Sequence, residues 1–218
     1  MTLDRRMLLA GLGAVPFGVQ SVYAADDDSA APTETAAGEK PYVLGDVVMG
    51  AEDATVTVIE YASPTCPHCA SFHVNTWPQV KEQYVDTGKI KFILREVYFD
   101  KFGLWVGMTA RCGGEAGYYP MMDTFLKTMR QWRSAGDDNA IGQAIQQIGR
   151  RAGLSSDQLN ACLSDRDFAK ALVEEYQTNA KADEVRSTPT FMINGKQHTG
   201  DMRFEQFSQI LDEALADS

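Results

Sequence analysis

Cysteine, histidine and positive charge are all scarce in this sequence. Its 218 residues include four cysteines and three histidines. Four cysteines are too few for a disulfide-dense scaffold. They suffice for one redox pair plus one structural pair, or for one zinc site. Lys and Arg number 20 against 30 Asp and Glu, a formal net charge of -10. That balance excludes a general nucleic-acid binder, whose surface would be basic. No internal repeat of fixed period is present, which excludes solenoids and propellers. The remaining composition, 44% hydrophobic and 23% charged, is that of an ordinary soluble globular protein. At about 100–200 residues per domain, one or two domains fit.

The start of the chain reads as an address. Arg5 and Arg6 precede an apolar stretch from Met7 to Val19, and small residues follow at Ala24 and Ala25. A basic start, a short apolar centre and a small-residue exit predict a signal peptide over residues 1–25, cleaved near Ala24 or Ala25. The stretch is too short and glycine-rich for a good transmembrane anchor. Its two arginines fit either an ordinary or a twin-arginine export signal. Residues 26–40 carry three aspartates and no large apolar side chain, so a flexible linker is expected there.

Beyond residue 40, Thr55 to Tyr61 is β-branched and aromatic and predicts a strand. A helix is expected from near Cys66 to about Asp86, kinked or divided by Pro78. Lys89 to Tyr98 predicts a second strand. Strand, helix, strand in this order implies a parallel pair with a right-handed crossover. No strand pattern occurs between Phe102 and about Asp183. Ile141, Ala144, Ile145 and Ile148 mark one helical stripe there, and Phe168, Leu172, Val173 and Tyr176 another. A helix is also expected through Arg111 to Glu115, weakened by Gly113 and Gly114. Thr190 to Ile193, the Asn194-Gly195 turn and Lys196 to Thr199 predict a hairpin, followed by a final amphipathic helix.

The most informative segment is Cys66-Pro67-His68-Cys69. Two cysteines separated by two residues at a helix start can close a small disulfide ring. Unpaired backbone N–H groups and the positive end of the helix dipole stabilise a thiolate at the first of them. Pro67 suits the first helical position, where its missing N–H costs nothing. A protonated His68 adds charge beside the sulfur. CxxC thiols titrate at roughly 3.5–7.5, against about 8.5 for a free cysteine. A stabilised thiolate favours the reduced form and makes the disulfide an oxidant. A zinc site is disfavoured, because His68, His73, Cys112, Cys162 and His198 are scattered rather than paired at ligand spacing.

The run Glu60-Tyr61-Ala62-Ser63-Pro64-Thr65-Cys66-Pro67-His68-Cys69, with Ser187-Thr188-Pro189-Thr190-Phe191, resembles the DsbA family of periplasmic thiol:disulfide oxidoreductases. The pattern is most similar to the DsbA proteins of α-proteobacteria. The resemblance covers about residues 42–216 and implies an α/β thioredoxin fold with an inserted α-helical subdomain. It divides the chain into a thioredoxin-like part, residues 41–101 and 184–218, and a helical insertion, residues 102–183. It also implies that Pro189 is cis and packs beside the CxxC, where sequence alone reads an ordinary strand-start proline. The backbone of Thr188 would then be free to pair with an extended substrate. Glu60 interrupts an apolar strand; alternation does not exclude a solvent-facing position, which is the default reading for a lone charge. The resemblance instead buries it under the active site as a proton partner of Cys69. His73 is read as a surface or packing residue, and His198 as having no catalytic task.

Cys112 and Cys162 both fall in the helical region. In an oxidising compartment two such cysteines pair, and a structural disulfide is expected; two free buried thiols are the alternative. Phe99, Phe102, Trp105, Tyr118 and Tyr119 are candidates for an apolar groove near the CxxC. The function implied is an oxidase that donates its disulfide to reduced exported proteins and is re-oxidised by a DsbB-like membrane quinone reductase. No cofactor, metal or nucleic acid is called for, and a monomer is expected. Thr188, where the best-known oxidases carry valine, leaves open an isomerase or reductase kept reduced by a DsbD-like donor. A periplasmic chaperone or a copper-binding protein using the CxxC as ligands is the alternative of another class.

Overall fold

The computed structural model describes residues 41–218; the expected signal peptide and linker lie outside them. Five strands form one sheet: β1 (Val48–Gly50), β2 (Val56–Ala62), β3 (Ile90–Glu96), β4 (Thr190–Ile193) and β5 (Lys196–Thr199). Their order across the sheet is β1-β3-β2-β4-β5. β2 and β3 are parallel, as the crossover predicts, and the other neighbouring pairs are antiparallel. β2 therefore lies in the middle of the sheet. Its Val56, Val58, Tyr61 and Ala62 are fully buried.

Between β2 and β3 the chain forms α1 (Pro67–Asn75), α2 (Trp77–Val80) and a π-helical turn, Lys81–Val85. The long helix expected from the sequence is thus divided, with the break at Thr76 and Pro78 in the first turn of α2. Proline fits there because the N–H it lacks would have no intrahelical partner. The Thr76 hydroxyl donates to the Met202 carbonyl at 2.7 Å and pins the break to the loop before the last helix.

Six helices lie between β3 and β4: α3 (Lys101–Arg111), α4 (Gly114–Lys127), α5 (Met129–Arg133), α6 (Asp138–Arg151), α7 (Ser156–Ser164) and α8 (Arg166–Ala182). α9 (Phe204–Ala216) follows the hairpin. Residues 111–115 are not one helix. α3 stops at Arg111, and Gly114 opens α4 at φ +66°, a conformation that suits glycine and interrupts the helical path. Ser155 and Gln158 form a reciprocal capping box at the start of α7. Asn194 (φ 46°) and Gly195 (φ 81°) are both left-handed, as a two-residue hairpin turn requires.

β1 has no counterpart in the sequence reading. It is three residues long and half exposed, too short for an alternation pattern. Gly50 closes it at φ +100°, where a Cβ would sit 2.5 Å from the Ile90 carbonyl oxygen. Glycine is therefore required for the two backbones to approach. The Tyr119 hydroxyl on α4 donates to the Val47 carbonyl at 2.6 Å and clasps this edge to the helices.

Two further ties hold the helices to the sheet. Arg111, at the end of α3, makes two hydrogen bonds to Glu96 at the end of β3, 2.8 and 2.7 Å long, with both side chains buried. Arg111 also donates to the Gly45 carbonyl. Cys112 and Cys162 are joined as a disulfide that links the α3–α4 turn to α7, with Cα atoms 6.3 Å apart.

Candidate active site

β2 runs through the core and ends at the tight turn Ser63-Pro64-Thr65. The Cys66 N–H donates to the Ser63 carbonyl at 3.0 Å, and the Ser63 and Thr65 hydroxyls are 3.2 Å apart. This turn delivers Cys66 to the N-cap of α1 in an extended conformation, φ -87° and ψ 121°. Pro67 is the first residue of the helix, and Cys66 accepts the first helical hydrogen bond from Ala70 N–H. Cys66 and Cys69 are both free thiols, but their surroundings differ. Cys66 retains 8% exposure and Cys69 has none. The side chains of Pro67 and His68 face solvent.

The two sulfurs are driven apart in acidity. The Cys66 thiol falls to about 5. The largest cause is a hydrogen bond from Cys69. Burial opposes it, and Thr188 and the backbone N–H groups of Cys69 and His68 add to it. His68 thus acts through its place in the first helical turn, where N–H groups have no intrahelical partner. The Cys69 thiol is pushed far above the usual range, first by burial, then by its hydrogen bond to Cys66 and by the charge of Glu60.

Thr188 comes from the loop before β4. Its peptide bond to Pro189 is cis, and its carbonyl oxygen lies 3.5 Å from Cys66 Sγ. The loop is braced by the Thr190 hydroxyl, which donates to the Ser187 carbonyl at 2.7 Å, and by Gly200 N–H, which donates to the Pro189 carbonyl.

Glu60 lies in β2 with no exposure, between Leu94 of β3 and Phe191 of β4 in the sheet register. Simple alternation allowed a solvent-facing position, but β2 is covered on both faces. The Glu60 partner is His73 of α1, whose Nε2 lies 2.9 Å from Glu60 Oε2. His73 is 2% exposed and pairs with the buried carboxylate, so of the surface and packing roles expected for it the surface one is excluded. The sequence carried this placement in its spacing, although it did not show what His73 would meet. His73 falls four residues after Cys69 and so shares its helix face, toward the strand that carries Glu60.

The expected aromatic groove is not assembled as one surface. Tyr118 and Phe102 are core residues, and the Tyr118 hydroxyl donates to the Leu94 carbonyl. Phe99, at 61% exposure, is the large aromatic left open, on the loop that follows β3. His198 lies on β5, away from the thiols along the sheet order. No group of three or more His, Cys, Asp or Glu side chains among the described residues is placed to hold a metal ion.

A family model described as thioredoxin matches residues 43–213. The chain belongs to the thioredoxin family. Within that family it is of the DsbA type. Its fold is similar to the crystal structure of Wolbachia pipientis alpha-DsbA1, with a TM-score of 0.73 and 26% identity over 80% of this chain and 93% of that one. A Rickettsia bellii protein named as a protein-disulfide oxidoreductase is 33% identical over 79% of this chain and 66% of its own length. Disulfide bond formation protein D of Bacillus subtilis is 22% identical, covering 81% of this chain and 80% of that protein. The chain spans 60% to 66% of the length of the Rickettsia relatives it matches.

Proposed function

We propose that the chain is a periplasmic thiol:disulfide oxidoreductase that donates a Cys66–Cys69 disulfide to newly exported proteins. The observation that carries this reading is the asymmetry of the pair. One thiol is slightly exposed and titrates near 5; the other is fully buried and held protonated. A low thiol pKa makes Cys66 a good leaving group and stabilises the reduced form, so the disulfide is oxidising.

In the oxidised protein a client thiolate attacks Cys66 Sγ. The Cys66–Cys69 bond breaks, and Cys69 leaves with the electron pair and takes a proton. The client is then linked through Cys66. A second client thiolate attacks the client sulfur of that link, and Cys66 leaves as a thiolate. The client gains a disulfide, and the protein holds the two electrons. The carbonyl of Thr188 and the backbone around cis-Pro189 hold the client strand beside Cys66 by short β-addition. Glu60 exchanges the proton with Cys69, which its burial and its effect on that thiol support. A DsbB-like membrane quinone reductase re-oxidises the pair. On this reading residues 1–25 direct export and the mature chain acts as a monomer. No helix of the described residues is long and apolar enough to cross a membrane.

The deciding experiment uses Cys69→Ser and Cys66→Ser in cells. Cys69→Ser is expected to accumulate mixed disulfides with exported proteins through Cys66, and Cys66→Ser to accumulate none. Absence of adducts in the first variant refutes the assignment. The redox state of the native pair in vivo separates the two redox roles: mostly disulfide supports the oxidase, and mostly dithiol supports the isomerase or reductase that Thr188 leaves open.

A further inference from the structure

We propose that His73 is a positioning residue that relays protons between Glu60 and solvent in a side cavity, so that the buried thiol Cys69 gains and loses its proton through the interior. The proposal rests on the reading of Glu60 as the proton partner of Cys69 and supplies the route that reading lacks.

Cys69 has no exposed surface. In the mixed disulfide a client covers the Cys66 side, so bulk water cannot reach the departing sulfur there. Glu60 is equally enclosed. A carboxylate sealed from water passes on a proton only through a neighbour that titrates, and its hydrogen-bonding neighbour is His73, at 2.9 Å. One oxygen of Glu60, Oε2, is engaged by His73, whereas Oε1 is buried with no hydrogen-bond partner among the described residues, and the charge of this carboxylate acts on Cys69. The other ring nitrogen of His73, Nδ1, is likewise buried without a partner.

His73 also lines a cavity of about 300 Å³ between α1, α2 and α4, with Trp77, Lys81, Tyr119 and Asp123 among its walls. Pro78, Pro120 and Lys127 line it too and are exposed, which makes them its rim. Asp123 Oδ1 is a second buried oxygen without a partner at this cavity. Buried polar atoms of this kind are satisfied by water, and the volume holds several molecules. An imidazole between a carboxylate and such water moves a proton by donating at one nitrogen and accepting at the other.

When Cys69 leaves Cys66 with the electron pair, a proton passes from His73 Nε2–H to the Glu60 carboxylate and on to the sulfur, so Glu60 ends ionised as it began. His73 Nδ1 takes a proton from cavity water, whose hydroxide is neutralised by solvent. Re-oxidation runs the same path backwards. The other titratable groups around the pair are committed elsewhere. Tyr119 donates to the Val47 and Phe92 carbonyls, Lys81 pairs with Asp86, and Lys127 pairs with Asp123.

The test is the single-turnover reduction of the oxidised full-length mature protein by a dithiol peptide, followed by stopped flow between about pH 5 and 9, in His73→Ala, His73→Gln and Glu60→Gln. General acid–base groups contribute about 10²–10⁴-fold, so both His73 variants are expected to lose at least about tenfold in rate, with the Cys66 titration kept near 5. Added imidazole is expected to restore His73→Ala and to leave Glu60→Gln slow. A folded His73→Ala at the native rate, or one that is slow without rescue, overturns the relay. So does His73→Gln at the native rate, because glutamine keeps a hydrogen bond and cannot relay; that variant decides if His73→Ala does not fold. A slow Glu60→Gln beside fast His73 variants sinks the relay alone. A fast Glu60→Gln sinks the Glu60 reading, and the relay with it.

Discussion

The Cys66 sulfur lies 3.5 Å from the carbonyl oxygen of Thr188, although 122 residues separate them in sequence. This contact joins the helix start that activates the thiol to the loop that would receive a client. It also brings the Thr188 side chain into the group of residues that lower the pKa of Cys66.

Thr188→Val therefore raises the Cys66 pKa above about 5, because one of the groups stabilising the thiolate is removed. The hydrogen bond from Cys69 and the backbone N–H groups of Cys69 and His68 still stabilise the thiolate, so the rise is partial. Titration of the thiolate by its ultraviolet absorbance in the reduced protein measures it, and an unchanged midpoint contradicts the assigned contribution.

The same shift fixes the sign of the pH dependence of stability. The folded thiol titrates near 5, below the roughly 8.5 of an unfolded cysteine. The unfolded state thus binds more protons between these values, and the reduced form gains stability as pH rises through them. The Cys66 contribution is lost as pH falls through about 5 and is complete by about pH 8.5; above that the buried Cys69 thiol, which stays protonated in the folded state, acts in the opposite direction. Parallel denaturant titrations of the two forms across that window test this; a constant difference refutes it.

Glu60→Gln removes a charge that raises the Cys69 pKa. The Cys69 thiol should become more acidic while remaining above its ordinary range, because burial is the larger cause. The pH dependence of alkylation at Cys69 in a Cys66→Ser background checks the direction.

Arg111 and Glu96 are both buried and doubly hydrogen-bonded. Removing one member of such a pair strands the other charge. Glu96→Gln or Arg111→Met is thus expected to cost about 3–5 kcal/mol. Replacing both with apolar residues of matched volume should cost less than either single change, as a double-mutant cycle by urea unfolding would show.

Opening the Cys112–Cys162 disulfide releases a loop of 50 residues in the unfolded chain. A Cys112→Ala/Cys162→Ala variant should lose roughly 4 kcal/mol by the chain-entropy estimate. Its Cys66 titration should stay near 5, since the groups that set it lie elsewhere.

Local patterns were legible where one short segment holds the whole signal. The β-branched run of β2, the apolar stripe of α6 (Ile141, Ile145) and the left-handed turn at Asn194-Gly195 are each encoded by neighbours in sequence. β1 was not legible, because three residues carry no period and the strand exists only by pairing with β3. The break between α3 and α4 was blurred, because Gly114 weakens a helix without saying where it ends.

The sequence by itself determined that Cys66 stands at a helix start with Pro67 behind it, since a CxxC following a strand and a Ser-Pro-Thr turn needs no distant partner to form. It also marked Glu60 as an odd charge in an apolar strand. The tertiary structure decided what those residues meet. It brought Thr188 to Cys66 and buried Cys69. It closed Glu60 between β3 and β4 and turned His73 inward against its carboxylate. These are contacts across 13 to 122 residues. They depend on which face of β2 and α1 the rest of the chain covers, and no local spacing of residues contains that information.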